Sequence, residues 1–351
     1  MVFKRRLERL QETLEAPLLV LSPGNLFYLS GFRGSLGFLL VPPEGKPFFF
    51  CDGRYAIQSR EELAIEAEIV EFEHDVVEAI CDVFFSLHFD RLTVEDAASV
   101  SFARRFEEKR CPVSFSPSPV YTFRAVKDEE ELRIIQRAIA IAENAFRKVL
   151  PFIQEGVEER DIAAELEYEM RKLGGEGVAF PTIVAFGKRS SLPHARPTSC
   201  KVEKGKWVLI DWGVRVDGYC ADLTRVIPVG EVTDPRFGEI LSVLREAQQI
   251  ALSSLREGVE GGLVDQKVRE FFQEKGIEQY FTHSLGHGVG IDVHEEPKLN
   301  TRSRTVLRSG MVVTVEPGIY IPEWGGVRLE HMVLITEHGC ETLDTLPETF
   351  F

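Results

Sequence analysis

Two aspartates on neighbouring predicted strands are the first sign of a reactive site in this sequence. Residues 206–230, KWVLIDWGVRVDGYCADLTRVIPVG, form two β-rich runs around Asp217-Gly218, a dipeptide typical of a two-residue hairpin turn. That turn would place Asp211 and Asp222 diagonally on one face of the hairpin. Carboxylates so placed in apolar strands would repel each other and lose hydration. The pattern therefore indicates either a metal ion between them or a solvated strand face.

A second predicted hairpin brings two more carboxylates. Residues 311–336, MVVTVEPGIYIPEWGGVRLEHMVLIT, place Glu316 at the end of an apolar strand, at Pro317-Gly318. Glu330 is expected in the middle of the return strand. Solvated faces alone do not explain two hairpins with two carboxylates each, so the repetition favours a metal site.

Three histidines lie between the two hairpins, inside the glycine-rich segment THSLGHGVGIDVHEEP (282–297). Imidazole beside carboxylates is a ligand set for first-row transition metals. A phosphate-binding loop is excluded, because the pattern G-x-G-x-x-G would need glycine where Ile291 stands. The three histidines are His283, His287 and His294.

The elements around these motifs repeat once along the chain. QEGVEERDIAAELEYEMRKLGG (154–175) resembles REGVEGGLVDQKVREFFQEKGI (256–277), and both segments close on a glycine. Each follows a long helical pattern and precedes strand-like sequence. The C-terminal part is therefore predicted to consist of two related α/β halves, whose matching elements converge on a cleft.

The N-terminal part has a different pattern, in which short apolar runs alternate with helical periodicity. This alternation predicts an α/β layer domain. Prolines and serines interrupt both periodicities at SFSPSPVYTF (114–123), where we place the boundary between a domain of residues 1–120 and one of residues 124–351. The second domain opens with Asp128 and Glu131 in capping-box spacing, followed by a long amphipathic helix.

Composition excludes several classes of protein. The formal net charge is −15, with 41 Lys and Arg against 56 Asp and Glu, so the positive surface that nucleic-acid binding needs is missing. No run approaches the ~18 apolar residues of a membrane span, and the first residues lack the apolar core of a signal peptide. The six cysteines form no C-x-x-C pair, which suggests neither a disulfide framework nor a thiolate zinc site. A cytoplasmic protein is expected.

The motifs together resemble those of the pita-bread metallopeptidases, which include Xaa-Pro aminopeptidases, Xaa-Pro dipeptidases (prolidases) and methionine aminopeptidases. NLFYLSGFRGSLGFLLV, followed by FFCDGRYAIQS, also resembles the creatinase-like domain that precedes the catalytic domain in the Xaa-Pro enzymes. The resemblance implies an α/β creatinase-like N-terminal domain and an α+β pita-bread catalytic domain with an internal pseudo-twofold repeat. It also implies five ligands for two divalent metal ions, matched by Asp211, Asp222, His287, Glu316 and Glu330.

The resemblance further implies a role for each residue. Asp222 and Glu330 would bridge the two metal ions, which activate water and polarise the scissile carbonyl. Glu316 would also carry a proton to the leaving nitrogen. The non-ligand histidines His194 and His294 would contact the substrate and steady the oxyanion. Manganese or cobalt is the expected metal, with zinc and iron as alternatives for the same donors.

Three more residues bear on the site. His283 matches a histidine that lines the cleft in the family. Arg328 lies two residues before Glu330, so on one strand face it can orient that carboxylate or a substrate group; the alternative is an ordinary surface arginine. His331 departs from the Xaa-Pro enzymes, which usually carry an acid there, and resembles the methionine enzymes.

The expected activity is that of a metallo-exopeptidase that cleaves before proline, with Xaa-Pro dipeptides as substrates and a homodimer as the assembly. A dipeptidase must bind the free carboxylate of proline, and Lys298 and Arg302 lie in the segment where prolidases place an arginine. Both can equally be exposed loop charges. The first alternative is an aminopeptidase P acting on longer peptides. The remaining alternatives are a methionine aminopeptidase-like enzyme, a metal-free creatinase-like hydrolase and a peptide-binding pseudo-peptidase.

Overall fold

We describe a computed structural model that covers residues 2–348 and divides into two compact units. The first unit ends at Arg124, and the second begins at Ala125. The sequence predicts a break in regular structure at residues 114–123. In the structure this segment instead contributes to an edge strand and to a helix. Within residues 2–348, no helix is both long and apolar enough to pass through a lipid bilayer.

The first unit alternates strands and helices, which is the α/β organisation that the sequence predicts. Its strands are β1 (Leu18–Val20), β2 (Phe38–Val41), β3 (Phe48–Cys51), β4 (Glu68–Glu71), β5 (Leu92–Glu95) and β6 (Val113–Ser116). They form one sheet in the order β4-β3-β2-β1-β5-β6, antiparallel at β1–β2 and β2–β3 and parallel at the other pairs. Its helices are α1 (Val2–Gln11), α2 (Pro23–Ser30), α3 (Ala56–Glu62), α4 (Val76–Ser86), α5 (Val100–Glu108) and α6 (Val120–Ala125).

Apolar residues of the central strands and of α4 form the core of the first unit. Leu40 and Phe50 from the sheet pack with Ile80 and Phe84 from α4, and all four are fully removed from solvent. Such burial contributes about 25 cal/mol per Å² of apolar surface. Asp75 caps the N-terminus of α4, and its side chain accepts hydrogen bonds from two backbone N–H groups of the first turn. This unit therefore has a core of its own.

The second unit contains two helix pairs, each followed by strands. The helices are α7 (Glu129–Val149), α8 (Glu159–Lys172), α9 (Pro235–Ser254) and α10 (Gly261–Glu274), with 3₁₀ turns at Leu150–Phe152, Gly187–Ser191 and Glu278–Tyr280. The strands of the first half are β7 (Gly177–Val178), β8 (Ile183–Phe186), β9 (Lys206–Trp212), β10 (Val214–Val216), β11 (Tyr219–Cys220) and β12 (Leu223–Val229). Those of the second half are β13 (Gly286–Gly288), β14 (Glu295–Leu299), β15 (Val312–Val315), β16 (Gly318–Ile321), β17 (Gly325–Arg328), β18 (His331–Ile335) and β19 (Cys340–Thr342).

The two similar sequence segments fold in the same way. α8 and α10 lie inside them, and each helix ends shortly before a glycine with positive φ, Gly174 at 104° and Gly276 at 72°. Glycine adopts this conformation without a steric penalty, which explains why both segments close on it. The sheets that follow are β12-β9-β8 and β11-β10-β7 in the first half, and β14-β13-β15-β18-β19 with the ribbon β16-β17 in the second.

One aromatic cluster joins the two halves of the second unit. The ring of Trp207 in β9 is fully buried and lies 4.7 Å from that of Phe237 in α9 and 4.8 Å from that of Trp324. Its indole N–H donates to the carbonyl oxygen of Gly326 in β17 at 2.8 Å. The carboxylate-bearing hairpins of the two halves are thereby fixed relative to each other.

Candidate metal centre

The first hairpin has the turn and the register that the sequence predicts. Asp217 and Gly218 both have positive φ, 45° and 83°, as this two-residue turn requires. Asp211 in β9 lies opposite Thr224 in β12, and the same register continues through Asp222 to the turn. Since side chains alternate between faces along a strand, the two aspartates share one face of the hairpin.

The second hairpin is divided between two sheets, and this corrects one prediction. Glu330 does not lie in the middle of a strand: it lies between β17 and β18, as Glu316 lies between β15 and β16. β15 pairs with β18 in the larger sheet, whereas β16 pairs with β17 in a separate ribbon. Pro317 has no N–H to donate, so the pairing at this point keeps one backbone hydrogen bond, from Leu329 N to the Pro317 carbonyl at 3.2 Å. Both glutamates stand where the chain changes sheets.

Three carboxylates from the two hairpins come together. One oxygen from each of Asp211, Asp222 and Glu330 lies within 4.8 Å of the other two. These residues are 9%, 5% and 2% exposed. Burial, together with the neighbouring carboxylates, raises the pKa of Asp222 and that of Glu330 well above their usual values. A positive charge is needed to keep all three ionised near neutral pH.

The donors at this cluster fit a divalent metal ion. Asp211 Oδ1 is buried and has no hydrogen-bond partner among residues 2–348. The other oxygen, Oδ2, accepts a hydrogen bond from Arg328. A buried carboxylate oxygen without a partner is costly, and grouped carboxylate oxygens are ligands that divalent cations prefer. Asp211, Asp222 and Glu330 could therefore hold a metal ion between the hairpins.

His287 and Glu316 lie beside the three carboxylates. The imidazole Nε2 of His287 is 3.3 Å from Glu316 Oε1 and 3.7 Å from Asp222 Oδ2. Its Nδ1 is 3.1 Å from the carbonyl oxygen of Gly288, which can only accept a hydrogen bond. Nδ1 therefore carries a proton, and Nε2 is the nitrogen that faces the carboxylates, as a ligand would.

The charges of His287 and Glu316 depend on each other. Burial alone would lower the pKa of His287, but the hydrogen bond and the charge of Glu316 raise it above its usual value. Burial alone would raise the pKa of Glu316, but His287 lowers it to about 2. In the absence of a metal the two form an ion pair, and a metal ion at Nε2 would take the place of the proton there.

A buried chain of hydrogen bonds leads away from Asp211. The guanidinium of Arg328, 2% exposed, donates to Asp211 and, at 2.7 Å, to the hydroxyl of Tyr320. That hydroxyl is 2.8 Å from His283 Nε2, while His283 Nδ1 is 2.8 Å from the carbonyl oxygen of Ser284. Nδ1 must donate to the carbonyl, so Tyr320 donates to Nε2. Arg328 is therefore a buried site residue and not a surface arginine.

Arg328 is connected to Glu330 through Thr224. The Nε of Arg328 donates to Thr224 Oγ1 at 3.0 Å, and that hydroxyl donates to Glu330 Oε2 at 2.6 Å. Sequence reasoning missed both Thr224 and Tyr320. The hairpin register contained the signal for Thr224, because it places this residue opposite Asp211. The signal for Tyr320 was strand alternation, which places it on the same face of the second hairpin as Glu316.

His331 turns away from the carboxylate cluster. Its Nδ1 is 2.8 Å from Asp344 Oδ1, and Asp344 is also paired with the fully buried Arg225. Arg225 in turn donates to the backbone carbonyl of Glu330 at 2.6 Å. The residue that departs from the Xaa-Pro pattern thus belongs to a network that holds the backbone beside Glu330.

The cluster opens into a cavity of about 1070 Å³ in the second unit. A space of this size accommodates a short peptide. His194, His294 and Lys298, all predicted to meet the substrate, line it. Arg302 is exposed and lies outside this lining, whereas Arg196, which sequence reasoning missed, is part of it. Besides Lys298 and Arg328, the cavity therefore receives a cation from residues 193–197 and none from the residues just after Lys298.

The two predicted non-ligand histidines approach the cavity from different elements. The ring centroid of His294, just before β14, is 4.3 Å from that of His287. Desolvation at the cavity wall and the charge of His287 lower the pKa of His294, so its imidazole is neutral near pH 7. His194 follows the 3₁₀ turn Gly187–Ser191 and is exposed to the cavity. Both are placed to contact a bound molecule.

Two family models match the chain. The one described as "Metallopeptidase family M24" matches residues 133–337, and the one described as "Creatinase/Prolidase N-terminal domain" matches residues 6–126. The first match covers more than half of the chain and includes the whole carboxylate cluster.

Relatives and solved structures match nearly the full length. A Xaa-Pro dipeptidase from Pyrococcus furiosus is 36% identical over 349 residues, covering 97% of each chain. A structure of a Xaa-Pro dipeptidase from Bacillus anthracis has a TM-score of 0.94 at 34% identity, covering 99% of this chain and 100% of that one. An X-Pro aminopeptidase structure from Thermotoga maritima has a TM-score of 0.86 at 39% identity, covering 95% and 97%.

Proposed function

The chain belongs to metallopeptidase family M24, and from this membership we propose that it hydrolyses the peptide bond before proline, with Xaa-Pro dipeptides as its substrates. A creatinase-like N-terminal domain precedes a pita-bread catalytic domain, as the sequence predicts. The observation that carries the proposal is the buried carboxylate cluster beside an imidazole in a peptide-sized cavity. Xaa-Pro dipeptidases that are similar over almost the full length support the choice of substrate.

The proposed cofactor is a pair of divalent metal ions, manganese or cobalt. When bound, these ions would lower the pKa of water and polarise the scissile carbonyl. The position of Asp222 supports a bridging role, because one of its oxygens lies within 4.8 Å of an Asp211 oxygen and its Oδ2 is 3.7 Å from His287 Nε2. The proposed ligands are Asp211, Asp222, His287, Glu316 and Glu330.

The other residues of the site would orient groups and move protons. Glu316 would carry a proton to the leaving nitrogen, while His194 and His294 would donate hydrogen bonds to the carbonyl oxygen as charge develops on it. Both nitrogens of His283 are engaged, so this residue would line the cleft without exchanging protons. Arg328 would keep Asp211 ionised and in place.

Substrate length depends on a cation that binds the carboxylate of proline. Lys298 is exposed, lies in β14 four residues after His294 and lines the cavity, which supports its assignment to that role. The X-Pro aminopeptidase from Thermotoga maritima, at 39% identity, favours a second candidate function, an aminopeptidase P that acts on longer peptides. In that case the direction beyond proline must stay open.

Lys298→Ala is expected to raise KM for an Xaa-Pro dipeptide roughly 10-fold and to leave kcat nearly unchanged. This increase is at the lower end of the range for a lost hydrogen bond to a charged group, because Lys298 is exposed to solvent. Arg302→Ala is the matched control, since it removes a cation from the same segment outside the cavity lining. Steady-state kinetics on Xaa-Pro and Xaa-Pro-Yaa-Zaa check both points. Faster cleavage of the tetrapeptide, with Lys298→Ala silent, would move the assignment to aminopeptidase P.

We also propose that the protein is a cytoplasmic homodimer, on the basis of its resemblance to creatinase-like enzymes. Light scattering on the purified protein should then give about twice the mass of one chain, at micromolar concentration and below. A single-chain mass that does not change with concentration would remove the dimer from the proposal.

A further inference from the structure

Glu159 is a buried carboxylate that the proposed mechanism does not use. It is the first residue of α8, is fully removed from solvent and lies outside the cavity lining. Its Oε1 accepts hydrogen bonds from Phe186 N at 2.8 Å and from Arg189 Nε at 3.0 Å. Its Oε2 accepts from Thr198 N at 2.9 Å, from Thr198 Oγ1 at 2.7 Å and again from Arg189 Nε at 3.0 Å. One side chain thus satisfies several donors of a single chain segment.

These donors bracket a loop of the cavity, residues 186–198. Phe186 ends β8 and Thr198 ends the loop, so Glu159 fastens one end to the other. Residues 193–197, between these anchors, all line the cavity. Arg189 extends the fastening, because its Nη2 donates to the backbone carbonyl of Arg196 at 2.7 Å.

The loop carries His194, whose ring is held by no side-chain hydrogen bond in the described part of the chain. The position of this imidazole therefore depends on the backbone of the 186–198 loop. On the cavity side, Arg328 donates to the carbonyl of Pro193 at 3.3 Å, a long hydrogen bond. Surface segments that are held by few hydrogen bonds open locally at a low free-energy cost. The hydrogen bonds to the fully buried carboxylate of Glu159 oppose that opening.

We propose that Glu159 is a positioning residue of this peptidase, which fastens the 186–198 loop so that His194 and Arg196 meet the substrate in one conformation. The inference rests on the proposed peptidase activity and on the role of His194 in it. A carboxylate suits the task because N–H donors reach both of its oxygens. Glutamine would turn an NH₂ group towards one set of these donors. Glu159 acts through the loop and does not itself touch the substrate.

Hydrogen exchange tests the fastening without reference to activity. In Glu159→Gln, peptides covering residues 186–198 should exchange roughly 10-fold faster than in the wild type, because their anchored amides open more often. Peptides covering residues 206–229 should exchange at the wild-type rate. Unchanged exchange in the loop would overturn the inference.

Steady-state kinetics test the link to His194. Glu159→Gln should lower kcat roughly 10-fold, with KM changed less and metal content retained, since misplacement of a contacting group costs turnover. In a His194→Ala background the same substitution should change kcat by less than about 2-fold, because its effect acts through the missing imidazole. Equal losses in both backgrounds would assign Glu159 a purely structural role and refute the proposal.

Thr198→Val and Thr198→Ser provide an independent pair of variants in case Glu159→Gln fails to fold. Valine removes the hydroxyl that donates to Glu159, whereas serine keeps it. Valine should therefore loosen the loop and lower kcat in the same way as Glu159→Gln but less, and serine should match the wild type. Identical behaviour of the two variants would contradict the inference.

Failure of the proposed function can be told apart from failure of this inference. A wild type that cleaves no Xaa-Pro peptide would refute the proposed function. The hydrogen-exchange experiment would still decide whether Glu159 holds the 186–198 loop.

Discussion

Asp222→Asn is expected to reduce turnover to below about 1% of the wild-type value and to leave the protein folded. Asp222 is a proposed ligand of both metal ions, because it is close to Asp211 and to the imidazole of His287. Asparagine keeps the shape of the side chain but removes its charge and one anionic oxygen. Metal binding, which depends on a deprotonated ligand, should therefore weaken strongly.

Elemental analysis and thermal melts check this expectation. The wild type should hold about two metal equivalents per chain and gain thermal stability when metal is added, whereas Asp222→Asn should bind less and gain little. In the presence of a chelator the variant should melt at or above the wild type, because an amide avoids burying a charge beside Asp211 and Glu330.

The same hairpin offers a matched control for this variant. Asp217→Asn changes an aspartate of the turn, and asparagine tolerates the positive φ at that position. This control should keep wild-type turnover and metal content. Wild-type turnover with full metal content in Asp222→Asn itself would refute the assignment of Asp222 as a ligand.

Alanine at either His194 or His294 should lower kcat by roughly 100-fold and leave bound metal near the wild-type level. Both imidazoles line the cavity, and His294 is neutral near pH 7 because desolvation and His287 lower its pKa. A neutral imidazole can donate a hydrogen bond to an oxygen on which negative charge develops. Loss of that donor costs transition-state stabilisation but removes no ligand.

Kinetics and metal analysis on the same preparations separate the two roles. His338→Ala is a suitable control, because this side chain is 88% exposed and lies outside the cavity lining. It should behave as the wild type. Metal loss in step with the removal of either imidazole would show that the histidine is a ligand, contrary to the assignment.

Local chemistry explains which parts of the site could be predicted from the sequence. The turn at Asp217-Gly218 sets the register of the first hairpin within a few residues, so the shared face of Asp211 and Asp222 followed from it. The long helix α7 likewise begins at the capping box that Asp128 and Glu131 predict. In both cases the residues that determine the structure are neighbours in the chain.

The division of the second hairpin between two sheets could not be predicted in the same way. One register runs through both sheets, since Val315 pairs with His331 and Gly318 with Arg328, and it places Glu316 opposite Glu330. The turn that sets this register lies at residues 322–324, where no turn was predicted, so the opposition of the two glutamates was missed. Tyr320, Arg196 and Glu159 also escaped prediction. Each acts through a partner that is distant in sequence, as Tyr320 does with His283, or through a cavity that only the folded chain forms.

The cluster draws on both hairpins, and this determines when it can form during synthesis. Asp211 and Asp222 emerge from the ribosome on a hairpin whose turn needs nothing from later sequence. Glu330 is made 108 residues after Asp222, which at ~5–20 residues per second takes roughly 5–20 s. A cation that needs ligands from both halves is thus acquired only after the second hairpin has been made. Which metal occupies the site then depends on the divalent ions that the finished chain encounters, as well as on its donors.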